Sequence, residues 1–444
     1  MFRKVLVANR GESALRVIRT CQELGLKTVA IHSSADDTSP HVRFADESVC
    51  IGPPRAADSY LNVPAIISAA EITGADAVHP GWGFLSENPV FADVLGRTGI
   101  RFIGPSPEAM RLLGNKVEAR RVLKERGIPL LPGTGVLRSA ADAKDFVDEI
   151  GFPLIVKAAA GGGGRGMKIV REGDDVGRAI DTGRAEAMAA FGNGDVYVER
   201  YLEAPRHIEF QILADSHGNA LHLNERECSI QRRYQKVIEE APSVALTPKL
   251  RDEIGRMAAT AAGELGYENA GTMEFLLDPQ RDELYFMEMN TRLQVEHPVT
   301  EGICDLDLVE WQVRVAAGEK LPWKQEDIKI RGHCIEARVN AEDPDTFRPS
   351  PGEVTGHHVP GGPGIRIDST IYGGCTVPHH YDSMIAKVIA HGDDRAMAHR
   401  RLRRALGEFI VEGISTNVPF LLRILDDPRF AAGELDTHFL DGLA

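Results

Sequence analysis

The stretch EMNTRLQVEHP, residues Glu288–Pro298, places polar groups with metal- and anion-binding chemistry at every second position. Side chains of an extended strand alternate between its two faces, so Glu288 and Asn290 are predicted to point the same way. If the chain stays extended, three more polar side chains follow on that face: Arg292, Gln294 and Glu296. A strand that only packs a core does not normally carry such a row, so the stretch indicates a functional site.

The segment before this stretch predicts a hairpin. Thr272–Leu277 and Leu284–Glu288 have the composition of strands, and Asp278–Glu283 has that of a turn. A register shift of one residue turns every side chain of a strand to the other face, so the pairing depends on how the turn is built.

A hairpin centred on Arg281 puts Glu274 directly opposite Glu288. Their Cβ atoms would be about 4.5–5.5 Å apart, where like charges are destabilising. A divalent cation between the carboxylates reverses that effect, Mg²⁺ prefers such oxygen ligands, and Asn290 can add an amide oxygen. The alternative is an exposed acidic hairpin with Arg292 as its salt-bridge partner.

Size and composition restrict the classes of protein. The chain has 444 residues, 43% of them hydrophobic, and a net charge of −14, which argues against a general nucleic-acid or anionic-membrane surface. We find no apolar run long enough to span a membrane and no signal-peptide pattern at the amino terminus. The six cysteines are dispersed, which indicates reduced thiols in a cytoplasmic protein.

The amino-terminal region predicts an α/β unit with a parallel sheet. Lys4–Ala8 and Thr28–His32 are strand-like, and Ser13–Leu24 between them has helical periodicity. Later strands of the same sheet are predicted at Ala75–His79 and Arg101–Ile103.

A glycine-rich loop, Gly161–Gly164, joins two predicted strands, Leu154–Ala158 and Met167–Arg171. Successive backbone N–H groups without Cβ atoms can surround an anion, so the loop suits a flap over phosphates. Three basic residues near the loop favour that function: Lys157, Arg165 and Lys168. The alternative is a flexible hairpin tip.

The carboxyl-terminal region, from Arg331 onward, has mixed signals. Glu336–Asn340 is followed by a Pro/Gly-rich stretch from Pro349 to Gly364. The last hundred or so residues alternate strand patterns with one predicted helix near Ala396–Ala405.

The chain resembles the ATP-grasp enzymes, and among them biotin carboxylase, essentially from end to end. The motifs that carry the resemblance are VLVANRGE at Val5–Glu12, HPGWGFLSEN at His79–Asn88, GGGGRGM at Gly161–Met167, SIQRRYQKVIEEAP at Ser229–Pro242, EMNTRLQVEHPVTE at Glu288–Glu301, EARVNAEDP at Glu336–Pro344 and YDSMIAK at Tyr381–Lys387.

The resemblance implies an α/β (mixed α+β) fold in three regions. These are a Rossmann-like domain over 1–114, an ATP-grasp domain over 115–330 with a mobile lid at about 131–203, and a mixed α+β domain over 331–444. It also implies a reaction in which ATP activates bicarbonate and the carboxyl group moves to biotin on a carrier protein. The implied cofactors are ATP with two Mg²⁺ or Mn²⁺ ions, and the implied partners are a biotin carboxyl carrier protein and carboxyltransferase subunits.

The resemblance further implies a nucleotide site and a metal site. The residues implied for the ATP phosphates are Lys116, Lys157, Gly163, Gly164, His207 and Gln231. Those implied for the adenine are Glu199, Arg200, Tyr201 and Leu202. The implied metal ligands are Glu274, Glu288 and Asn290, in agreement with the hairpin argument.

Bicarbonate and biotin would lie beside the metal site. The residues implied for bicarbonate are Lys236, Arg292, Gln294 and Val295. Glu296 would be the general base, Arg338 would stabilise the biotin enolate, and Glu87 would lie near biotin. An alternative makes Arg338 a structural partner of Glu336 or Asp343.

Several positions depart from the family pattern. Tyr234, another candidate for the nucleotide site, stands where many members have His. Ala160, Trp82 and Pro363 also differ, whereas three positions match the family's dimer contact and indicate a homodimer: Arg19, Glu23 and Arg366.

Two other functions fit an ATP-grasp fold. One is a ligase that makes an acyl phosphate for amide formation, and the other is a non-catalytic nucleotide-binding regulator. The motifs at Ser229–Pro242 and Glu288–Glu301 disfavour the ligase, and the presence of Lys236, Arg292 and Glu296 disfavours the regulator. The sequence does not specify the final carboxyl acceptor, which a partner carboxyltransferase would select.

Overall fold

The computed structural model describes residues 1–159 and 167–443. Its amino-terminal region alternates strands and helices. The elements are β1 Lys4–Val7, α1 Gly11–Glu23, β2 Lys27–Ser33, α2 Pro40–Phe44, β3 Glu47–Gly52, α3 Val63–Thr73, β4 Ala77–His79, α4 Pro89–Arg97, β5 Arg101–Phe102 and α5 Pro107–Gly114.

The five amino-terminal strands form one sheet in the order β3-β2-β1-β4-β5, and all of its pairs are parallel. The predicted parallel sheet is therefore confirmed. Helix α1 lies on one side because Leu15, Val17 and Ile18 pack into the core, and α3 and α4 bury apolar faces against other strands of the sheet. The loops after β1 and β4 face the rest of the molecule.

The next region contains a small three-stranded sheet. Its elements are α6 Lys116–Lys124, α7 Lys144–Ile150, β6 Leu154–Ala158, β7 Lys168–Val170, α8 Val176–Phe191 and β8 Val196–Arg200. Strands β6 and β7 pair antiparallel, with Leu154 opposite Val170, so the two strands predicted around the glycine loop are confirmed. Gly161–Gly164 and Ala160 lie outside the described residues.

The elements that follow are β9 Arg206–Ala214, β10 Ala220–Arg232, β11 Gln235–Ala241, α9 Pro248–Glu264, β12 Asn269–Asp278, β13 Glu283–Asn290, α10 His297–Cys304 and α11 Leu308–Ala316. The carboxyl-terminal elements are β14 His333–Asn340, β15 Gly352–Glu353, β16 Gly356–His358, β17 Ile365–Ser369, β18 Thr376–Val377, β19 Met384–Gly392, α12 Arg395–Glu408, β20 Ile410–Glu412, α13 Val418–Asp426 and α14 Pro428–Ala432.

One antiparallel sheet of eight strands contains strands from both the central region and the carboxyl-terminal region. Its order is β13-β12-β9-β10-β11-β14-β19-β17. The β11–β14 pair, with Glu239 opposite Glu336, joins the central strands to the carboxyl-terminal ones. Helix α10 packs against β10, β11, β14 and β19, near the middle of the sheet. Strands of the central and carboxyl-terminal regions therefore belong to one continuous sheet.

The prediction of one helix in the last hundred residues is wrong. Helix α12 contains the predicted Ala396–Ala405, but α13 and α14 follow it. The apolar run in α13 is short and dense enough to be read as a buried strand. In the fold, Phe420, Leu421 and Ile424 pack into the carboxyl-terminal core instead.

Candidate active site

The hairpin of β12 and β13 places Glu274 directly opposite Glu288, as the sequence predicted. The strand ends pair Asp278 with Glu283, which in a regular ladder would put Glu274 opposite Met287. A register shift just after Glu274 restores the predicted pair. The pairing is confirmed, but it depends on a β-bulge as well as on the turn.

The row extends across four strands and contains three carboxylates and one arginine. Glu274 is opposite Glu288 on one side and Glu209 on the other, and Glu209 is in turn opposite Arg226. Residues paired in this way point to the same face of the sheet. Three neighbouring carboxylates therefore share one face, an arrangement that requires compensating cations.

Lysines provide that compensation at both outer parts of the row. Lys116 Nζ lies 2.6 Å from Glu288. Lys236 Nζ lies 3.0 Å from Glu274 and 2.5 Å from Glu209. Burial alone would raise the pKa of Glu274, but Lys236 and His207 lower it well below its usual range.

At the β10 end of the row, Arg226 is completely buried and binds Glu209. Its Nε donates to Glu209 at 2.5 Å, and its other nitrogens donate to Gln211, Thr272 and Thr300. Thr300 belongs to α10. Arg226 therefore connects the carboxylate row to α10, the helix that begins directly after Glu296.

The chain leaves the sheet at Asn290, so the alternation expected through Glu296 does not continue as a strand. Leu293 turns into the hydrophobic core of the amino-terminal region, and α10 begins directly after Glu296. Arg292 still donates to Asn290 at 3.3 Å and to Gln294 at 2.9 Å. A turn thus brings together the side chains that a straight strand was expected to align.

Glu296 is fully buried between two cations. Lys236 Nζ donates to its Oε1 at 2.6 Å, and Arg338 Nη2 donates to its Oε2 at 2.8 Å. Burial alone would raise the pKa of Glu296, but Lys236 and Arg338 lower it below its usual value. The carboxylate is therefore ionised at neutral pH.

Arg338 also forms an ion pair with Glu239, to which its Nε donates at 2.6 Å. Its observed partners are thus Glu239 and Glu296, and not the Glu336 or Asp343 of the alternative interpretation. Burial raises the pKa of Glu239 to about 7 despite the nearby guanidinium.

Glu87 connects the amino-terminal loop to this site. Its carboxylate accepts from Arg292 Nε at 2.9 Å and from the backbone N–H of Thr291 at 3.0 Å. The loop after β4 is therefore attached to the turn that contains Gln294 and the half-buried Val295.

A second cluster lies beside β8. Lys157 Nζ is 2.6 Å from Glu199, and Arg120 pairs with the other carboxylate oxygen. Glu199 therefore forms ion pairs with two cations. Strand β8 ends at Arg200, and the chain continues through half-buried Tyr201 and buried Leu202.

His207 and Gln231 lie together, with Gln231 Nε2 2.6 Å from His207 Nδ1. The other ring nitrogen of His207 is 3.4 Å from Glu274, so this pair lies next to the carboxylate row. Tyr234 is 58% exposed at the tip of the β10–β11 hairpin. Gly163 and Gly164 lie outside the described residues.

Sequence reasoning missed several residues of the site. Glu209 pairs with Lys236, and Arg226 pairs with Glu209. Glu239 pairs with Arg338, and Arg120 pairs with Glu199. The alternation of His207, Glu209 and Gln211 along β9 was an available signal for the first of these. No comparable pattern marks Arg226, because its partners come from three other elements.

The donor set fits hard divalent cations. Two opposed carboxylates and the amide oxygen of Asn290 are oxygen ligands on adjacent strands. His207, Glu209 and Glu274 also bring ligand atoms within 4.8 Å of one another. Together with the lysines, this surface can bind phosphates and metal ions beside a buried ionised base.

Comparison with protein families gives three successive matches. Residues 1–110 match the biotin carboxylase N-terminal domain, residues 115–324 match the carbamoyl-phosphate synthase L chain ATP binding domain, and residues 336–442 match the biotin carboxylase C-terminal domain. The carboxylate row and the turn that follows it lie within the second match.

Individual relatives are similar along the whole chain. The chain is 55% identical to the biotin carboxylase of Haemophilus influenzae over 443 residues, covering 99% of this chain and 98% of that one. Two crystal structures each cover 99% of the chain. The biotin carboxylase domain dimer of Hydrogenobacter thermophilus 2-oxoglutarate carboxylase, with MgADP, ADP and bicarbonate, has a TM-score of 0.96, 48% identity and 97% of its chain covered. The Campylobacter jejuni biotin carboxylase–β-γ-ATP complex has a TM-score of 0.97, 47% identity and 99% covered.

Proposed function

The chain belongs to the biotin carboxylase family, and from that premise we propose which of its residues carry out the reaction. The protein is a ligase that uses ATP and bicarbonate to carboxylate biotin. One observation carries the assignment of residues: Glu296 is buried and ionised between Lys236 and Arg338. Family membership argues against the two alternatives, an amide-forming ligase and a non-catalytic regulator.

Glu296 is proposed as the base that takes the proton from bicarbonate. Bicarbonate is a weak nucleophile until that proton is removed. The freed oxygen then attacks the γ-phosphorus of ATP, and the bond to ADP breaks. Because Lys236 and Arg338 lower the pKa of Glu296, the base is already deprotonated when bicarbonate binds.

The bicarbonate pocket is proposed to consist of Lys236, Arg292, Gln294 and the backbone of Val295. Arg292 is suited to this because its guanidinium carries donors in a planar fork that matches a carboxylate-like anion. Its present bonds to Glu87 and Gln294 hold it over the turn. These contacts support a binding geometry that exists before the substrate arrives.

ATP is proposed to bind along the adjoining lysines. The residues proposed for the phosphates are Lys116, Lys157, Gly163, Gly164, His207 and Gln231. Phosphoryl transfer depends mainly on positioning and charge neutralisation, which these groups provide. The adenine is proposed to lie against Glu199, Arg200, Tyr201 and Leu202, with Tyr234 at the hairpin tip nearby. The paired carboxylate of Glu199 would act mainly by orienting Lys157.

Glu274, Glu288 and Asn290 are proposed to hold the metal ions, two Mg²⁺ or Mn²⁺ ions. When bound, these ions would neutralise charge on the phosphate oxygens. The solved relative that contains MgADP supports magnesium for this family. Lys116 and Lys236 lie beside the same carboxylates.

Arg338 is proposed to stabilise the enolate oxygen that develops when the ureido nitrogen of biotin loses its proton, before that nitrogen forms its bond to the carboxyl carbon. A fixed cation is effective there because the charge appears only during the reaction. Glu87, which accepts a hydrogen bond from Arg292, is proposed to lie near biotin. Both residues border the turn of Glu296.

The proposed partners are a biotin carboxyl carrier protein, which presents biotin, and carboxyltransferase subunits, which select the final acceptor. A homodimer is supported by the dimeric relative and by the exposed Arg19 and Glu23 on α1. We propose a cytoplasmic location because all six cysteines are free. Among the described residues, none of the helices is both long and apolar enough to cross a membrane.

The three regions are proposed to divide the work. Residues 1–114 would supply the biotin-side loop, residues 115–330 would bind ATP with a lid at about 131–203, and residues 331–444 would supply Arg338. The eight-stranded sheet supports cooperation between the last two regions, because β11 and β14 bring Glu239 and Glu336 side by side.

The proposal is tested by ATP cleavage with Mg²⁺, bicarbonate and free biotin. Wild-type turnover should depend on Mg²⁺ and bicarbonate and should rise with biotin. Glu296→Gln should lose bicarbonate-dependent cleavage, whereas Glu283→Gln, an exposed change on the same hairpin, should retain it. Undiminished activity of Glu296→Gln, or undiminished wild-type turnover in bicarbonate-depleted buffer, would contradict the proposal.

A further inference from the structure

A buried lysine outside this set of residues binds the backbone of the catalytic turn. Lys387 lies near the middle of β19, and its side chain is 0% exposed. Its Nζ donates to the backbone carbonyl of Val295 at 2.9 Å. That carbonyl belongs to the peptide unit that joins Val295 to Glu296.

The ammonium of Lys387 also meets two other elements and a loop. It lies 2.9 Å from Glu12 of α1 and 3.8 Å from Asp368 of β17. The ring of Trp82, in the loop after β4, lies 4.8 Å from it. Lys387 therefore stands where the amino-terminal region, the carboxyl-terminal strands and the catalytic turn meet.

We propose that Lys387 is a positioning residue for Glu296: by holding the carbonyl of Val295, it fixes the peptide unit from which the base projects. The inference rests on the proposed function, in which Glu296 is the base. Arg338 stands directly opposite Lys387 on the neighbouring strand, so one pair of strands supplies both the cation that binds the carboxylate and the cation that binds its backbone.

The local backbone explains why such a residue is needed. The turn has left the ladder of β13, and α10 begins only after Glu296. The backbone bonds that close it are long, at 3.4 Å from His297 N–H to Gln294 and 3.3 Å from Val299 N–H to Glu296. A charge-assisted bond from a buried ammonium is shorter and stronger than these.

A buried ion pair with Glu12 alone would make Lys387 merely structural. Burial alone would lower the pKa of Lys387, but Glu12, Glu336 and Asp368 raise it, so the ammonium stays charged. The contact that a purely structural pair does not need is the one to Val295. If Lys387 only pairs with Glu12, removing both charges together should leave activity intact. If Lys387 positions Val295, activity should fall.

The test compares Glu12→Gln with the double variant Glu12→Gln/Lys387→Met, which removes both charges and leaves no unpaired carboxylate at position 12. Bicarbonate-dependent ATP cleavage should keep at least half of the wild-type kcat in Glu12→Gln. In the double variant, kcat should fall at least tenfold and KM for bicarbonate should rise, while KM for ATP stays within twofold. The described residues proposed to bind ATP lie on elements other than β19 and the turn, so KM for ATP should change little.

Melting temperature and circular dichroism are measured on each variant, and kcat is calculated per folded molecule. If the double variant does not fold, Glu12→Gln/Lys387→Gln replaces it, and the same kinetic separation is expected because Gln is shorter and uncharged. A normal kcat and normal KM for bicarbonate in either folded double variant would overturn the proposal. Glu296→Gln is measured alongside: if it is inactive while the double variant is normal, only the inference about Lys387 fails, and if it is fully active, the proposed function fails as well.

Discussion

The carboxylate row on the sheet and the turn from Thr291 to Glu296 are adjacent, but their side chains are positioned in different ways. The row is positioned by strand register, which brings Glu288, Glu274 and Glu209 side by side. The turn is positioned by side chains that reach it from elsewhere, such as Glu87 and Lys387. Breaking the row should therefore disturb both folding and function, whereas breaking a contact of the turn should disturb mainly function.

The largest expected effect is on the row itself. Glu288→Lys should abolish ATP-dependent activity, because it removes a proposed metal ligand and places an ammonium beside Lys116, which now lies 2.6 Å from Glu288. The new lysine would pair with Glu274. Steady-state ATP cleavage with Mg²⁺ measures this, and Glu283→Lys, exposed on the same strand, is the control. Full activity of a correctly folded Glu288→Lys would reject the paired-carboxylate site.

Arg226→Met tests whether the row also stabilises the fold. Removing one partner of a buried ion pair typically costs about 3–5 kcal/mol, and Glu209 would lose one of its two cations. Lys236 and Arg226 lower the pKa of Glu209 to about 2 against the effect of burial, so its charge persists. Chemical denaturation should show the loss, and Arg256→Met, on an exposed helix face, should show little. Equal stability of the two variants would mean that the row does not depend on Arg226.

Arg338→Gln tests the turn side and should separate the two half-reactions. Slow ATP cleavage with bicarbonate should persist without biotin, whereas carboxybiotin formation should fall by about 10²–10³, the usual effect of losing one oxyanion donor. Its melting temperature should change less than that of Arg226→Met. A parallel loss of both activities with a lowered melting temperature would instead indicate a structural residue.

Part of this contrast was readable from the sequence. The pairing of Glu274 with Glu288 is local, because one turn connects the strands. The Arg226–Glu209 pair is also on adjacent strands, but only the structure shows that the guanidinium reaches α10 as well. The turn could not be predicted, because Leu293 leaves the strand to fill a core made by distant residues. Helices α13 and α14 were missed for a similar reason, since tertiary packing decides the conformation of short apolar runs.

The smallest expected effect concerns the pH dependence of stability. Burial raises the pKa of Glu239 to about 7 in the folded protein, above the usual value of 4.5. The folded state therefore binds more protons between these values, and its stability falls as pH rises from about 4.5 to 7. Glu239→Gln lacks this loss. Its melting temperature relative to wild type should therefore rise between pH 5 and pH 8. A difference independent of pH would contradict a pKa of about 7 for Glu239.

The central claim is that the turn activates bicarbonate for attack on ATP, with Glu296 as the base. Oxygen-18 bicarbonate tests it directly, since the attacking oxygen must end in the phosphate released. We expect each phosphate formed by the wild-type enzyme in the presence of biotin to carry one labelled oxygen from bicarbonate. Any residual cleavage by Glu296→Gln should give unlabelled phosphate from water. Unlabelled phosphate from the wild-type enzyme would contradict the account.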